Sequence, residues 1–189
     1  MALTDKAKLM TYLGVNSLKG ITDDQLTWLI NTVESHIAIK TGRKQIENGS
    51  LTEYHDGDGR SSYFITNEFP ITSVSSLYDD VERDYDSTSL IDTDDYVWYR
   101  EGRVELDSGS FSKGLKNIKI IYLAGYTSDD REWAQIEYLA TKWVAMIFKA
   151  KDHLGISSQS DPDGSQTWFD QFLDRDMMSI LNLLMDRTC

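Results

Sequence analysis

The spacing of apolar residues changes twice along the chain, from helical to strand-like near residue 50 and back to helical near residue 128. In the first part, intervals of three and four residues predict a short helix over 4–13 and a longer one over 22–41. The longer helix begins with a capping-box pattern, Thr22 and Gln25, and ends at Gly42. Its predicted buried face consists of Leu26, Leu29, Ile30, Val33 and Ile37.

Residues 50–126 are rich in β-branched and aromatic side chains and are interrupted by glycine, aspartate, asparagine and serine. This composition is typical of short strands joined by turns. The Arg-Glu-Gly sequence at 100–102 predicts one of those turns. The predicted strands are 51–55, 62–66, 72–78, 96–99, 103–107 and 118–126.

Helical spacing returns after Ser128 and predicts a helix over 129–153, a linker at 155–166 and a last helix over 167–187. Together the elements predict an α+β fold in a single domain, residues 1–189. In this fold a small helical bundle carries a strand-rich, β-hairpin insert between the second and third long helices. The buried stripe expected on the 129–153 helix is Trp133, Ile136, Leu139, Ala140, Trp143, Val144 and Ile147.

Composition narrows the class of protein. The chain has 189 residues, of which 40% are apolar and 26% charged, as in globular proteins. Its formal charge of −12 disfavours tight binding to nucleic acid phosphates, yet it suits a wall past which a DNA duplex must slide. The only cysteine is Cys189, so no intrachain disulfide is expected. No apolar run predicts export or membrane spanning.

A run of acidic residues lies inside the predicted insert, between positions 79 and 95. Because like charges at this density repel one another, the sequence predicts an extended, solvated loop there. The run contains one basic residue, Arg83. Its acidic residues are Asp79, Asp80, Glu82, Asp84, Asp86, Asp92, Asp94 and Asp95.

The sequence YHDGDGRSSYF at 54–64 is the stretch that most resembles a binding loop. As a calcium loop beginning at Asp56, it would place Arg60 at a ligand position and Asn67 where a bidentate glutamate is needed. As a phosphate loop it lacks a third glycine and precedes a strand rather than a helix. The repeated Asp-Gly pair instead predicts the turn of a hairpin between two strands.

Catalytic patterns are also weak. His55 and Asp56 are adjacent, and adjacent residues of a strand point to opposite faces. The three histidines, His36, His55 and His153, lie in different predicted elements without metal-ligand spacing. We therefore expect no enzymatic activity, no catalytic residue, no metal and no cofactor.

Six pieces of sequence carry a family resemblance when they are taken in order. They are KTGR at 40–43, TEYHDGDGRSSYFI at 52–65, FPITSVSSLYDD at 69–80, GRVELD at 102–107, IKIIYLAGYTS at 118–128 before a tryptophan-containing helix, and ISSQSDPDG before the last helix. In this order and spacing, the chain from about residue 5 to 187 resembles the head–tail connector (adaptor, or head completion) proteins of tailed bacteriophages. The acidic stretch is longer than the family's, and the helix after AGYTS lacks its opening proline.

The resemblance implies a structural virion protein that assembles as a ring, generally of twelve subunits, beneath the portal of a DNA-filled head. The ring prolongs the DNA channel and offers a docking surface to the neck or tail. The implied partners are the portal protein, further copies of the chain, a downstream stopper or tail protein, and double-stranded DNA passing through without sequence-specific binding. No membrane is implied, and the protein would reside in the virion neck after assembly in the host cytoplasm.

Large aromatic side chains are the candidates for contacts in such a ring. The candidate oligomer or partner interface consists of Trp98, Trp168, Phe169 and Phe172. For Trp28, either a core or an interface role is possible. Trp143, on a regular apolar stripe, is favoured for the core. The acidic residues at 79–95 either face the channel or only keep an exposed loop soluble.

Three other functions remain open from the sequence. Another neck component, a stopper or tail-completion protein, would be more wholly β than this chain. A small metal-dependent or hydrolytic enzyme, or a calcium-dependent adhesion module, would need a convergent cluster that the sequence does not show.

Overall fold

The computed structural model describes residues 2–150, 158–161, 164–167 and 173–186. The chain divides into two compact units. The helical unit comprises Met1–Gly42 and Asp129–Met185, and the strand unit comprises Arg43–Ser128 and Asp186–Cys189. The α+β class is confirmed, with a strand-rich part between the helices of the first unit. That the chain acts as one domain stays a prediction.

The described helices begin and end largely where local signals predict. The capping box of the second helix is formed: Thr22 Oγ1 accepts from the Gln25 amide at 3.3 Å, and Gln25 Oε1 accepts from the Thr22 amide at 2.9 Å. Gly42 ends this helix in the left-handed conformation, at φ 69°. The helices are α1 Lys6–Leu13, α2 Asp23–Thr41, α3 Trp133–Ala150 and α4 Arg175–Met185.

The helical unit buries the predicted stripes except for Ile147 of α3, which is half-buried. All five apolar positions expected on α2 are buried, and α3 buries Trp133, Ile136, Leu139, Ala140, Trp143 and Val144. Two packing details fix these helices within the unit. The Trp143 ring stacks on His36 with centroids 5.8 Å apart, and the buried hydroxyls of Thr4 and Thr141 are 2.6 Å apart.

Two antiparallel sheets form the strand unit. The larger sheet has the strand order β1-β7-β3-β4, and the smaller has the order β2-β6-β5. One apolar cluster joins inward residues of both sheets, among them Leu77, Val104 and Ile120. The strands are β1 Gly49–Gly57, β2 Tyr63–Ile65, β3 Ile71–Asp79, β4 Leu90–Ile91, β5 Tyr96–Trp98, β6 Arg103–Leu106 and β7 Gly114–Ala124.

Strand β7 is central to the larger sheet because it pairs with β1 on one side and β3 on the other. Its buried residues alternate with more exposed ones, as the two-residue period of a strand requires. The buried apolar residues of β7 are Ile118, Ile120, Tyr122 and Ala124. The predicted turn at 100–102 is present between β5 and β6, with Gly102 at φ 98°.

The sequence predicted a hairpin at 54–64, with the strands on either side of the turn paired to each other. The turn is present, but that pairing is wrong. Strand β1 pairs with β7, and β2 pairs with β6 in the other sheet. A two-residue period specifies which face a strand buries but not which strand lies beside it. The sequence therefore suggested β2, the next strand along the chain, as the partner of β1.

The linker expected at 155–166 also needs correction where the structure describes it. Strands β8 Ser158–Asp161 and β9 Gly164–Thr167 pair there as an antiparallel ribbon. Helix α4 therefore begins at Arg175, whereas the sequence predicted a helix from residue 167. Between β8 and β9 the sequence is Pro162-Asp163, followed by Gly164, and proline and glycine favour reversal of the chain over a featureless connection.

Gly57 ends β1 at a place where only hydrogen fits. A Cβ built there would lie 1.9 Å from the Ser112 carbonyl oxygen and 2.8 Å from Asn117 Nδ2. The Gly57 amide donates to Asn117 Oδ1 at 2.8 Å, which holds the two segments together. This glycine serves close packing rather than the binding of an anion.

We predict that Gly57→Ala lowers the free energy of unfolding by about 3 kcal/mol, because the new methyl group would displace backbone. The matched control is Gly109→Ala. A Cβ at position 109 would have no atom within 4 Å, and the backbone there lies at φ +80°. That control should lose about 1 kcal/mol through backbone strain alone. Urea unfolding measures both, and equal losses would contradict the packing explanation.

Candidate functional site

The aspartates of the 54–64 stretch are occupied by hydrogen bonds within the chain. Asp58 Oδ1 accepts from the amides of Arg60 and Ser61 at 2.8 and 2.7 Å, and Asp58 Oδ2 accepts from the Ser61 hydroxyl at 2.7 Å. The amide and hydroxyl of Ser61, with the Arg60 amide, lower the pKa of Asp58 to about 2. Asp56 accepts from the Lys116 amide at 2.6 Å. Both carboxylates thus organise turns.

A second polar junction lies beside this turn. Asn117 is fully buried, and its Nδ2 donates to Asp79 Oδ1 at 2.7 Å and to the Ser112 carbonyl at 2.9 Å. Asp79 Oδ2 also accepts from the Ser112 amide at 2.7 Å. Asp79, one of the predicted exposed acidic residues, is therefore a structural partner at the end of β3.

The most concentrated polar chemistry in the strand unit surrounds Glu53, which is 6% exposed. Its Oε1 accepts from the Tyr122 hydroxyl at 2.6 Å. Its Oε2 accepts from the backbone amide and the side-chain Nδ2 of Asn67 at 2.9 and 3.1 Å, and lies 3.0 Å from His55 Nε2. His55 therefore pairs with Glu53, on the same face of β1, rather than with neighbouring Asp56.

The electrostatics of this cluster favour an ionised glutamate. Burial by itself raises the pKa of Glu53, but the hydrogen bonds from His55, Asn67 and Tyr122 outweigh it and lower that pKa to about 2. Burial and the bond to Glu53 raise the pKa of Tyr122. A carboxylate with both oxygens engaged is a poor general base, because its lone pairs are already used.

Metal binding gains no support from the described residues. Over the ranges given above, no three histidine, cysteine, aspartate or glutamate side chains converge as a metal site would require. Among the helices in the same ranges, none is both long and apolar enough to cross a bilayer.

The acidic segment at 79–95 is folded, contrary to the extended loop that the sequence predicted. Asp80 accepts from the amides of Glu82 and Tyr85 at 2.9 and 2.7 Å. Asp86 accepts from the Thr88 amide and hydroxyl at 2.9 and 2.6 Å. These bonds lower the pKa of Asp80 and of Asp86. Local bonding to backbone amides offsets the repulsion between like charges.

An aromatic anchor holds the same segment against the larger sheet. Tyr54, Lys119 and Tyr78 are neighbours across β1, β7 and β3, and the Lys119 ammonium lies 5.3 Å from the Tyr78 ring centroid. Tyr85 covers this row, with its ring centroid 4.9 Å from the ammonium and 5.5 Å from the Tyr54 ring. Its hydroxyl donates to the Lys116 carbonyl.

The eight acidic residues consequently fall into two groups. Asp79, Asp80, Asp86 and Asp92 accept hydrogen bonds that shape the segment, Asp92 from the Asp94 amide at 3.3 Å. The other four side chains are exposed and accept no hydrogen bond from the described part of the chain. They are Glu82, Asp84, Asp94 and Asp95.

Of the predicted interface residues, the structure describes one. Trp98 ends β5 and is 39% exposed, which leaves its indole available at the surface. Trp168, Phe169 and Phe172 lie outside the described residues. Trp143 is buried, as the α3 stripe predicted.

Two exposed surfaces add to the candidates, and one of them includes Trp28, for which the sequence left a core and an interface role open. On the smaller sheet, the outward side chains of Tyr63 and Tyr99 flank Arg103, whose guanidinium lies 4.7 and 5.5 Å from their ring centroids. On α2, Trp28 and Ile39 are 69% and 76% exposed. The exposure of Trp28 excludes the core role that the sequence had left open.

No family model matches the sequence, and no curated protein matches it either. Three solved structures resemble its fold over 94% of the chain at 12% sequence identity. They are the neck of an empty GTA particle computed with C6 symmetry, the neck of a native GTA particle computed with C12 symmetry, and the virion of a native gene transfer agent (GTA) particle. The TM-scores are 0.56, 0.56 and 0.60, and the alignments cover 86%, 86% and 87% of those chains. At this identity the likeness shows a shared fold.

We predict that Glu53→Gln destabilises the protein by about 3 kcal/mol at neutral pH, since a pKa lowered from 4.5 to about 2 stabilises the folded state by that order. The stabilisation is complete above pH 4.5 and is lost as the pH falls towards 2. The difference from the unmodified protein should therefore shrink by more than half at about pH 3. Urea unfolding at several pH values measures it.

The control for this measurement is Glu101→Gln, because Glu101 is an exposed glutamate in the same unit. It should change stability by less than about 0.5 kcal/mol at every pH. A Glu53→Gln penalty that stays constant between pH 7 and pH 3 would exclude the charge-based explanation.

Proposed function

We propose that this chain is a structural component of the neck of a tailed, phage-like particle. The observation that carries the proposal is the fold shared over 94% of the chain with chains of GTA necks and virions. The ordered sequence pieces that resemble head–tail connector proteins support the same role independently of the fold comparison. Under this proposal the protein acts by assembling and catalyses no reaction.

Within the neck, we infer the adaptor position. The protein forms a ring of twelvefold symmetry under the portal of the DNA-filled capsid, extends the DNA channel, and provides the docking surface for a stopper or tail protein. The symmetries of the GTA necks, C6 and C12, are compatible with such a ring. Trp98 and the aromatic residues Trp168, Phe169 and Phe172 are proposed contacts with the portal or with neighbouring copies.

The overall charge fits a channel component. At −12 the chain has no excess of lysine and arginine to displace counterions from DNA, so a passing duplex would be retained weakly. We further propose that the acidic segment faces or rims the channel. The four exposed acidic side chains, Glu82, Asp84, Asp94 and Asp95, would then supply the repulsion, while the hydrogen-bonded aspartates keep the segment in shape.

The adaptor proposal predicts added density when the purified protein is mixed with portal-bearing, DNA-filled heads that lack it. Electron microscopy should show a ring beneath the portal that shares its axis. Heads without the portal are the control and should gain no ring. Intact heads and folded protein without added density would contradict the adaptor position and favour a stopper or tail-side position.

The channel proposal predicts that replacing Glu82, Asp84, Asp94 and Asp95 by their amides lowers DNA ejection about tenfold, because the channel wall would repel the duplex less. Folding should be unchanged, since these side chains shape no turn. The matched control neutralises Asp24, Glu101, Asp107 and Asp129, four exposed acidic residues elsewhere, with the same change in net charge. Equal ejection by both variants in a DNA-release assay would rule out a channel-facing segment.

A further inference from the structure

Helix α2 carries two large, exposed apolar side chains on the side opposite its buried stripe. Trp28 and Ile39 are 69% and 76% exposed and are separated by eleven residues, or three helical turns, so they lie on the same side about 16 Å apart. The side chains between them on this side are Asn31, Thr32 and Ser35. We call these five residues the α2 outer face.

The polar groups of the α2 outer face are partly turned inward. Thr32 Oγ1 donates to the Trp28 carbonyl, and Ser35 Oγ donates to the Asn31 carbonyl, both at 2.8 Å. These hydroxyls already donate to carbonyls of the helix. Contact with another surface would therefore break few hydrogen bonds to water. No charged residue belongs to the face between its two ends.

The helical unit does not need this face for its own stability. Leu26, Val33 and Ile37 pack on the other side of α2 and are buried. Exposed tryptophan and isoleucine side chains on a helix whose other face is already buried are typical of an interaction surface. Tryptophan in particular is enriched among the residues that contribute most to binding energy.

We propose that the α2 outer face is the surface through which one copy of this chain contacts the next copy in a ring. Each copy carries a charge of −12, so close approach of two copies is least opposed by repulsion where the contacting surface carries no charge. The α2 outer face meets this condition over about 16 Å of helix. The inference rests on the proposed neck function, in which copies of the chain surround the channel.

Ring closure requires that this face meet a different surface of the neighbour. The helical unit offers one on other helices: Tyr12 of α1 and Tyr138 of α3 are both exposed and form an edge-to-face pair with centroids 6.2 Å apart. Two aromatic surfaces on separate helices permit head-to-tail contact, in which each copy uses both surfaces once.

A site-specific photo-cross-link tests which molecule covers the α2 outer face. Ser35→Cys in a Cys189→Ser background places a single thiol in the middle of the face, because Cys189 is the only native cysteine. The thiol is labelled with benzophenone maleimide, and the protein is bound to portal-bearing heads before irradiation. We expect an adduct with twice the mass of the chain.

The alternatives are separated by mass and by binding. An adduct with the portal or another neck protein, or no adduct from protein that is bound to heads, would overturn the inference while leaving the neck function intact. Failure of the labelled and the unmodified protein to bind heads would overturn the adaptor position, and this inference with it.

Substitution at Trp28 provides a second measurement. Trp28→Glu should lower the number of copies per head at least about tenfold, whereas Trp28→Phe, which keeps an aromatic ring, should lower it far less. Circular dichroism checks that both variants fold. Full ring occupancy by folded Trp28→Glu would overturn the assignment of this face.

Discussion

Burial of the Glu53 carboxylate is the constraint around which the strand unit is organised. An ionised carboxylate taken out of water costs several kcal/mol unless donors surround it. Here the donors come from three places: Tyr122 on β7, His55 on β1, and Asn67 in the connection that follows β2. A shift of any of these segments would leave a charge or a hydroxyl unsatisfied, so the network specifies how the larger sheet and the β2–β3 connection fit together.

The polar residues of this chain serve mainly to build the fold. Asp58, Asp80 and Asp86 hold turns through backbone amides, and Asn117 joins the end of β1 to the segment before β7. A side chain occupied in this way has little capacity left for a substrate or an ion. Among the exposed features described above, Trp28 and Ile39 are apolar and positions 82, 84, 94 and 95 are acidic, and both agree with the proposed role in assembly around DNA.

Signals from neighbouring residues predicted the helices. Features that depend on residues far apart in the chain could not be predicted from the sequence. The capping box at Thr22 and the glycine at 42 fix α2 from neighbouring residues alone. Strand partners depend on residues far along the chain, which is why β1 was expected beside β2 and lies beside β7. The acidic segment was expected to be extended because charge repulsion can be counted from sequence, while the aspartate-to-amide bonds and the Tyr85 contact with Lys119 cannot. For Trp28 the sequence left a core and an interface role open, and its exposure in the structure excludes the core role.

The division of the acidic segment into hydrogen-bonded and free side chains has an evolutionary consequence. Selection can change the charge at positions 82, 84, 94 and 95 without refolding the segment, because those side chains hold nothing in place within the described structure. In a symmetric assembly every such substitution is repeated in each copy, so one codon alters a whole circle of charges. If the segment faces the channel, as proposed, these four positions adjust the barrier to DNA movement separately from the residues that keep the protein folded.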